Sequence, residues 1–267
     1  MLLPPEQGFT MQGMLRILIA DICATVVVYA ASLIFGNATI YDPYWSVAPL
    51  VIIPSICIYL GTAGVGSALI CALVALWSVR LTANWVTTFR DLSTQDWRYD
   101  MLKKRTGAFF PVISFLGIQM FPTIVVYGVI VPAVMFVKTP DVNLLTCLGA
   151  IVSLFGIFCE FSADNDLRRF HADDTGSSAA VIERGLWRYS RHPNYFGEIL
   201  MWWGIYFMML SVRPDMWYLL AGALVNTLMF LFISIPMEER RLRSRKAGYA
   251  EYAKTTSALI PMRRRHG

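Results

Sequence analysis

FFPVISFLGIQMFPTIVVYGVIVPAVMFV, residues 109–137, is the stretch that decides the fold, because it carries no charged side chain over its whole length. About 20 consecutive apolar residues are enough to cross the hydrocarbon core of a bilayer. The whole chain of 267 residues is 56% hydrophobic and only 15% charged, whereas soluble domains are about 25% charged. The composition therefore predicts an integral membrane protein and excludes fibrous and disordered classes.

Further apolar stretches of spanning or near-spanning length lie on both sides of this one. They occupy residues 14–36, 46–60, 66–83, 142–161, 195–211 and 216–236. Together they predict an all-α, polytopic membrane helix bundle of about seven transmembrane helices. Since no linker or repeat divides the chain, we interpret residues 1–267 as a single integral-membrane domain.

The basic residues predict the orientation of this bundle. Segments 84–110, 162–194 and 237–267 fall on one side of a seven-helix bundle, and they hold 19 of the 23 basic residues. Lysine and arginine concentrate in cytoplasmic loops, so the N-terminus is predicted outside and the C-terminus in the cytoplasm. The net charge of +5 then indicates contact with lipid headgroups of the bilayer and no nucleic-acid partner.

The cysteines and histidines give no sign of a metal site. All five cysteines lie in apolar runs, no pair forms a Cys-x-x-Cys motif, and the three histidines are far apart in the sequence. Zinc sites need these residues at close, regular spacing. We therefore predict no metal and no disulfide framework.

A stripe of polar residues follows the fifth apolar stretch. Glu160, Asp164 and Arg168 have the spacing that places side chains on one face of a helix. Ionisable groups at membrane depth are costly and are functional candidates by default. If the fifth helix continues past the bilayer edge, this stripe marks a functional site.

Residues 185–198 are the most informative segment for chemistry. Pro193 favours the first turn of a helix, which places Asn194 and Glu198 on one face at its start. The preceding arginines, at 184, 188 and 191, make this helix start suitable for an anion such as a pyrophosphate. The positive-inside rule explains the arginines equally well, but it does not explain Asn194 and Glu198 in an otherwise apolar helix.

These motifs resemble the C-terminal domain of the steroid 5-alpha reductase superfamily. The resemblance rests on Gly185-Leu186-Trp187, 194–198, 160–164, 249–252 and 259–261, with weaker similarity at 42–46, 77–81 and 96–99. Members are membrane reductases that pass hydride from NADPH to an activated carbon–carbon double bond. The resemblance implies that residues 142–267 bind NADPH and that the early helices, 14–137, bind a lipophilic substrate of sterol-like, fatty or isoprenoid type.

The same resemblance implies which residues contact the cofactor. Asp164, Arg168, Tyr189, Asn194 and Glu198 fall where the family holds the dinucleotide. Asn194 and Glu198 would bind the nicotinamide amide, which needs an acceptor and a donor, and arginine forks suit phosphate. The full predicted cofactor-binding set is Glu160, Asp164, Arg168, Tyr189, Arg191, His192, Asn194, Tyr195, Glu198 and Tyr252. Glu160 departs from the asparagine expected in the steroid enzymes.

The proton donor is harder to assign. Reduction of an enone needs a group that stabilises the developing enolate oxygen, and the steroid enzymes use a glutamate and a tyrosine on early helices. This chain has no glutamate between Glu6 and Glu160. Asp42 and Tyr44 are the predicted catalytic residues, with Arg80 as a charge partner, although residues 41–45 also fit an interfacial aromatic belt with a helix cap.

A second enzyme class shares part of the motif. Residues 191–198, Glu238-Glu239 and 249–252 also resemble membrane isoprenylcysteine and phospholipid methyltransferases, which bind S-adenosylmethionine. Asp164-Asn165, Gly185-Leu186-Trp187 and the segment 255–261 favour the reductase. The predicted location is a multi-pass membrane protein of the endoplasmic reticulum or of a bacterial inner membrane.

Overall fold

The computed structural model describes residues 11–89, 91–173 and 181–264. Within these ranges, seven helical segments are long and apolar enough to cross a membrane. They are Gln12–Ile34, Ala38–Leu60, Val65–Thr88, Trp97–Lys138, Leu144–Asp173, Pro193–Val212 and Pro214–Arg245. The predicted all-α multi-pass architecture is confirmed.

Several of these segments consist of more than one helix. The α-helices are α1 (Met11–Ile34), α2 (Asp42–Leu60), α3 (Val65–Thr88), α4 (Trp97–Thr106), α5 (Phe110–Ile113), α6 (Phe121–Lys138), α7 (Leu144–Asp173), α8 (Pro193–Val212), α9 (Leu220–Met229), α10 (Ile235–Arg245) and α11 (Tyr249–Thr255). Two π-helical turns, Ser114–Met120 and Phe230–Ser234, join helices within the fourth and seventh segments. Such turns change the direction of the side chains that follow without ending the helix.

The fourth and fifth segments extend beyond the apolar stretches. Residues 84–110 were predicted as a loop, but α4 begins at Trp97, where the Asp96 side chain accepts a hydrogen bond from the backbone amide of Arg98. Hydropathy alone misses this helix because α4 is rich in charged residues. The fifth helix, α7, does continue past residue 161 to Asp173, as the polar stripe requires.

Glycines bring α7 and α8 into close antiparallel contact. A Cβ atom added to Gly149 would lie 2.7 Å from the carbonyl oxygen of Gly204, and one added to Gly156 would lie 2.5 Å from that of Gly197. Small residues let membrane helices approach until their backbones touch. This contact fixes the position of α8 relative to the polar face of α7.

The core of the bundle contains a chain of three tryptophans. Trp77 packs between Trp45 and Trp202, with ring centroids 5.9 Å and 5.0 Å away, and is fully buried. Indole rings supply large apolar area but carry one N–H group that needs an acceptor when buried. For Trp77 the acceptor is the carboxylate of Glu198 on α8.

Candidate functional site

Arg80 is the centre of a buried charged cluster in the membrane-spanning part of the bundle. Its Nη2 lies 2.9 Å from Glu160 Oε1, and its Nη1 lies 2.9 Å from Asp164 Oδ2. Arg80 comes from α3, whereas both acids come from α7, one helical turn apart. The ion pairs therefore join the third and fifth membrane segments at the depth of the polar stripe.

Glu198 extends this cluster to the sixth membrane segment. Its Oε1 accepts a hydrogen bond of 2.7 Å from Trp202 Nε1, and its Oε2 accepts one of 2.7 Å from Trp77 Nε1. Asn194, one turn earlier on α8, donates a long hydrogen bond of 3.5 Å to Asp164 Oδ1. We use the name Arg80 cluster for Trp77, Arg80, Glu160, Asp164, Asn194, Glu198 and Trp202.

The Arg80 cluster holds more acids than bases. It contains three carboxyl groups and a single guanidinium, which pairs with Glu160 and Asp164, and Glu160 and Glu198 are 3% and 6% exposed. Three buried polar atoms, Glu160 Oε2 and Arg80 Nε and Nη2, have no hydrogen-bond partner among the described residues, although Nη2 lies 2.9 Å from Glu160 Oε1 in the ion pair. Since a buried unpaired charge costs several kcal/mol, the cluster favours a proton, a cationic ligand or a hydrogen-bond donor.

The cluster borders an apolar groove of about 820 Å³ between α3 and α7. Arg80, Asp164 and Arg168 line its polar end. Arg168 itself is exposed and bonds to Asn165 and, at 3.4 Å, to Thr87. The predicted stripe thus exists, but Asp164 pairs with Arg80 of another helix rather than with Arg168 on its own helix.

Two other predicted cofactor residues, Arg191 and Tyr252, bind the C-terminal segment. Arg191 bonds to Glu239 Oε1 at 2.7 Å and to the carbonyl oxygens of Ala253 and Thr256 at 2.8 and 2.5 Å. The Tyr252 hydroxyl donates to the carbonyl oxygen of Trp187 at 2.5 Å. We call this packing of residues 249–264 on residues 183–191 the C-terminal clasp.

His192 and Tyr195 lie beside the clasp at the start of α8. His192 is buried, with its Nε2 3.6 Å from Glu239 Oε1, and its ring stacks on that of Tyr195 at 5.3 Å. Tyr195 in turn contacts Phe230. By contrast, Tyr189 is exposed. The ten predicted cofactor residues therefore divide between the Arg80 cluster with Arg168, the clasp with its neighbours, and one exposed loop residue.

Gly185 explains why a glycine precedes Leu186-Trp187. Its φ is +55°, and an added Cβ atom would lie 1.9 Å from Asp166 Oδ2. Both the left-handed conformation and the close approach favour glycine. Two residues later, Trp187 Nε1 donates to the carbonyl oxygen of Ala163 at 2.9 Å, so the loop is fixed to the same part of α7 that carries Asp164.

We expect Tyr252→Phe to loosen the C-terminal clasp. The substitution removes the hydroxyl that bonds to Trp187, a loss of about 1–2 kcal/mol for a buried hydrogen bond. Burial raises the pKa of the Tyr252 phenol above its ordinary value, so the wild-type hydroxyl stays protonated and keeps donating at neutral pH. Limited proteolysis should cut the C-terminal segment faster, while Tyr218→Phe at an exposed site should not. Weaker ligand binding with unchanged proteolysis would instead favour the predicted cofactor role.

The two predicted catalytic residues belong to other hydrogen-bonded groups. Asp42 Oδ1 accepts a bond of 2.5 Å from the Tyr99 hydroxyl, and the Tyr44 hydroxyl donates to Asp21 Oδ1. Arg80, expected as their charge partner, pairs with the acids of α7 instead. A catalytic role for Asp42 and Tyr44 stays a prediction.

Sequence reasoning gave two residues of this region too little weight. Trp77, which lies in the segment 77–81 of weaker resemblance, is fully buried and donates to Glu198. Asp21, 5% exposed on α1, lies in an apolar run and accepts a hydrogen bond from Tyr44. The signal was present in both cases, because an acid at membrane depth needs a donor from another helix.

The donor and acceptor types of the Arg80 cluster fit a nicotinamide amide. Glu160 Oε2 is buried without a hydrogen-bond donor among the described residues, and the long bond of Asn194 leaves its amide available. Arg168 supplies an exposed cation for a phosphate. Arg191 and Tyr252 fit less well, because their polar atoms already bond within the clasp.

The fold and this site define an integral, multi-pass α-helical membrane protein with a buried charged cluster. Residues 28–256 match the family described as "Protein of unknown function (DUF1295)". The match covers most of the chain, so the protein belongs to this family. Comparison with curated proteins gave no match, and neither did comparison with solved structures.

Proposed function

We propose that the protein is an NADPH-dependent membrane reductase that acts on an activated carbon–carbon double bond of a lipophilic substrate. The observation that carries the proposal is the Arg80 cluster, in which one guanidinium pairs with two carboxyls beside a third, Glu198, at the polar end of an apolar groove. Acids and bases at membrane depth mark functional sites. The motif resemblance supplies the class of reaction.

The roles of the residues follow from their partners. Asn194 and Glu160 would hold the nicotinamide amide, and Arg168 a phosphate. When bound, NADPH would supply a hydride to one carbon of the double bond, and the other carbon would take a proton, for which Asp42 and Tyr44 are the predicted donors. Trp77 and Trp202 hold the Glu198 carboxylate in one orientation through two hydrogen bonds of 2.7 Å. Because the cluster has surplus negative charge, it stabilises the cationic form of the nicotinamide, which favours hydride loss.

The surplus negative charge of the Arg80 cluster also favours a second candidate function. The sulfonium of S-adenosylmethionine is a cation, and the same acids would stabilise it by the same Coulomb attraction. A methyltransferase is therefore the second candidate. NADPH carries phosphate groups and S-adenosylmethionine carries none. Direct measurements of the binding of each cofactor distinguish the two candidate functions.

We expect NADPH to raise the thermal unfolding midpoint of the detergent-purified protein, because a ligand that binds only the folded state stabilises it. Asn194→Ala should weaken NADPH binding about tenfold, the effect of losing roughly 1.4 kcal/mol. Arg213→Gln is the matched control, since Arg213 follows the other end of the same helix. Stabilisation by S-adenosylmethionine with none by NADPH would replace the reductase by the methyltransferase.

A further inference from the structure

A second cavity lies where α1 ends, and it shares no lining residue with the Arg80 cluster or with the groove between α3 and α7. Its volume is about 340 Å³, and its walls are the last turn of α1, the turn at 36–38, Gln95 and residues 103–114. Sites for small molecules have volumes of roughly 300–1,000 Å³. The cavity is therefore large enough for a polar headgroup.

Two hydrogen-bond donors that line this cavity are not used within the described part of the chain. Ser114 is 3% exposed, and its hydroxyl makes no hydrogen bond among the described residues. Lys103 is exposed, its Nζ lies 5.9 Å from the centroid of the Phe110 ring, and it forms no ion pair with any described residue. Because a buried hydroxyl without a partner costs free energy, both groups favour a ligand that accepts hydrogen bonds.

The lining of the cavity is positively charged. Lys103 is the only charged side chain among the described residues that line it. Asp100, one turn earlier on α4, accepts a hydrogen bond of 2.8 Å from Gln95 Nε2 and does not line the cavity. The other polar side chains of the lining already bond to protein groups, and they are Ser32, Asn37 and Gln95. The unused donors and the charge together select an anion.

Apolar side chains are exposed on both sides of the cavity. They are Leu33, Ile34 and Phe35 at the end of α1, and Phe109 and Val112 after α4. Exposed apolar patches of this kind mark contact with a membrane. The cavity also lies at the end of the bundle that carries most of the basic residues, the predicted cytoplasmic side, where anionic lipids are enriched.

We propose that this cavity binds the phosphate group of an anionic phospholipid. Phosphate oxygens accept hydrogen bonds and carry negative charge, which matches the Lys103 ammonium and the Ser114 hydroxyl. The acyl chains lie outside the cavity, against the exposed apolar residues on either side of it. The inference does not depend on the proposed reductase activity, because neither residue belongs to the Arg80 cluster or to the predicted cofactor-binding set.

The test is native mass spectrometry of the full-length protein in a neutral detergent, titrated with phosphatidylglycerol or with phosphatidylcholine of the same chain length. A neutral micelle has no charged surface, so only direct contacts between lipid and protein contribute. We expect the first phosphatidylglycerol to bind about fivefold more tightly than phosphatidylcholine. Lys103→Gln should remove most of this difference. Lys104→Gln is the matched control, because Lys104 is also exposed but does not line the cavity.

Two further variants and one competitor make the result specific. Lys103→Arg keeps the charge and should retain binding, whereas Ala108→Phe fills the cavity and should lower the binding of phosphatidylglycerol as much as Lys103→Gln does. Equal losses in Lys103→Gln and Lys104→Gln, or equal binding of the two lipids, would mean general attraction to basic residues and would overturn the proposal. Displacement of phosphatidylglycerol by an excess of glycerol 3-phosphate would identify a soluble phosphate ester as the ligand and would overturn the assignment to a lipid.

Discussion

Arg80→Met should lower the free energy of unfolding by about 3–5 kcal/mol, the usual effect of removing one partner from a buried ion pair. The substitution leaves Glu160 and Asp164 without the guanidinium that lies 2.9 Å from each of them. Methionine fills similar apolar volume, so the loss measures charge rather than packing. Chemical unfolding in detergent, followed by tryptophan fluorescence, checks the size of the effect.

Two comparisons make this result specific. Combining Arg80→Met with Glu160→Gln and Asp164→Asn should recover much of the loss, because neither partner of Arg80 then carries a charge. Arg213→Met removes an exposed ion pair with Asp215 and should change stability by about 1 kcal/mol or less. Equal losses in Arg80→Met and Arg213→Met would mean that the cluster does not hold the bundle together.

Gly197→Ala should also destabilise the protein, by about 1–3 kcal/mol, the typical cost of overpacking. The added methyl group would lie 2.5 Å from the carbonyl oxygen of Gly156 and 2.6 Å from Glu160 Cγ. It would therefore separate α7 from α8 and displace a carboxylate of the Arg80 cluster. We expect loss of both stability and NADPH binding.

Gly117→Ala is the control for this experiment. Gly117 is also helical, but a Cβ atom there meets nothing within 4 Å. Alanine is favoured over glycine in helices by up to about 1 kcal/mol, so this variant should be neutral or slightly more stable. If both variants behave alike, the contact between α7 and α8 is looser than the structure shows.

The membrane segments could be predicted from hydropathy because an apolar run of spanning length has few structures open to it other than a membrane helix. The start of α8 could also be predicted, since proline favours the first turn of a helix and α8 does begin at Pro193. Hydropathy failed for α4, whose charged residues form a helix that no apolar run marks. Local sequence therefore predicts where the chain crosses the membrane, but it predicts the polar ends of the membrane segments less well.

The partners within the site could be predicted only in part. The spacing of Glu160 and Asp164 showed that they share a face, but it did not show which cation they meet. Arg80 lies more than 70 residues away in the sequence, and only the packing of α3 on α7 brings it there. The rule that buried charges must pair would have favoured Arg80, because few cations lie inside the predicted spans.

The C-terminal clasp has a consequence for the order of events during synthesis. Arg191 precedes α8, yet its backbone amide bonds to Ser257 and its side chain to residues 239, 253 and 256. Chains emerge from the ribosome N-terminal end first. The loop before α8 therefore waits for its bonding partners until residues 239–257 have been made, and the site at the start of α8 is completed only after the helices that follow it.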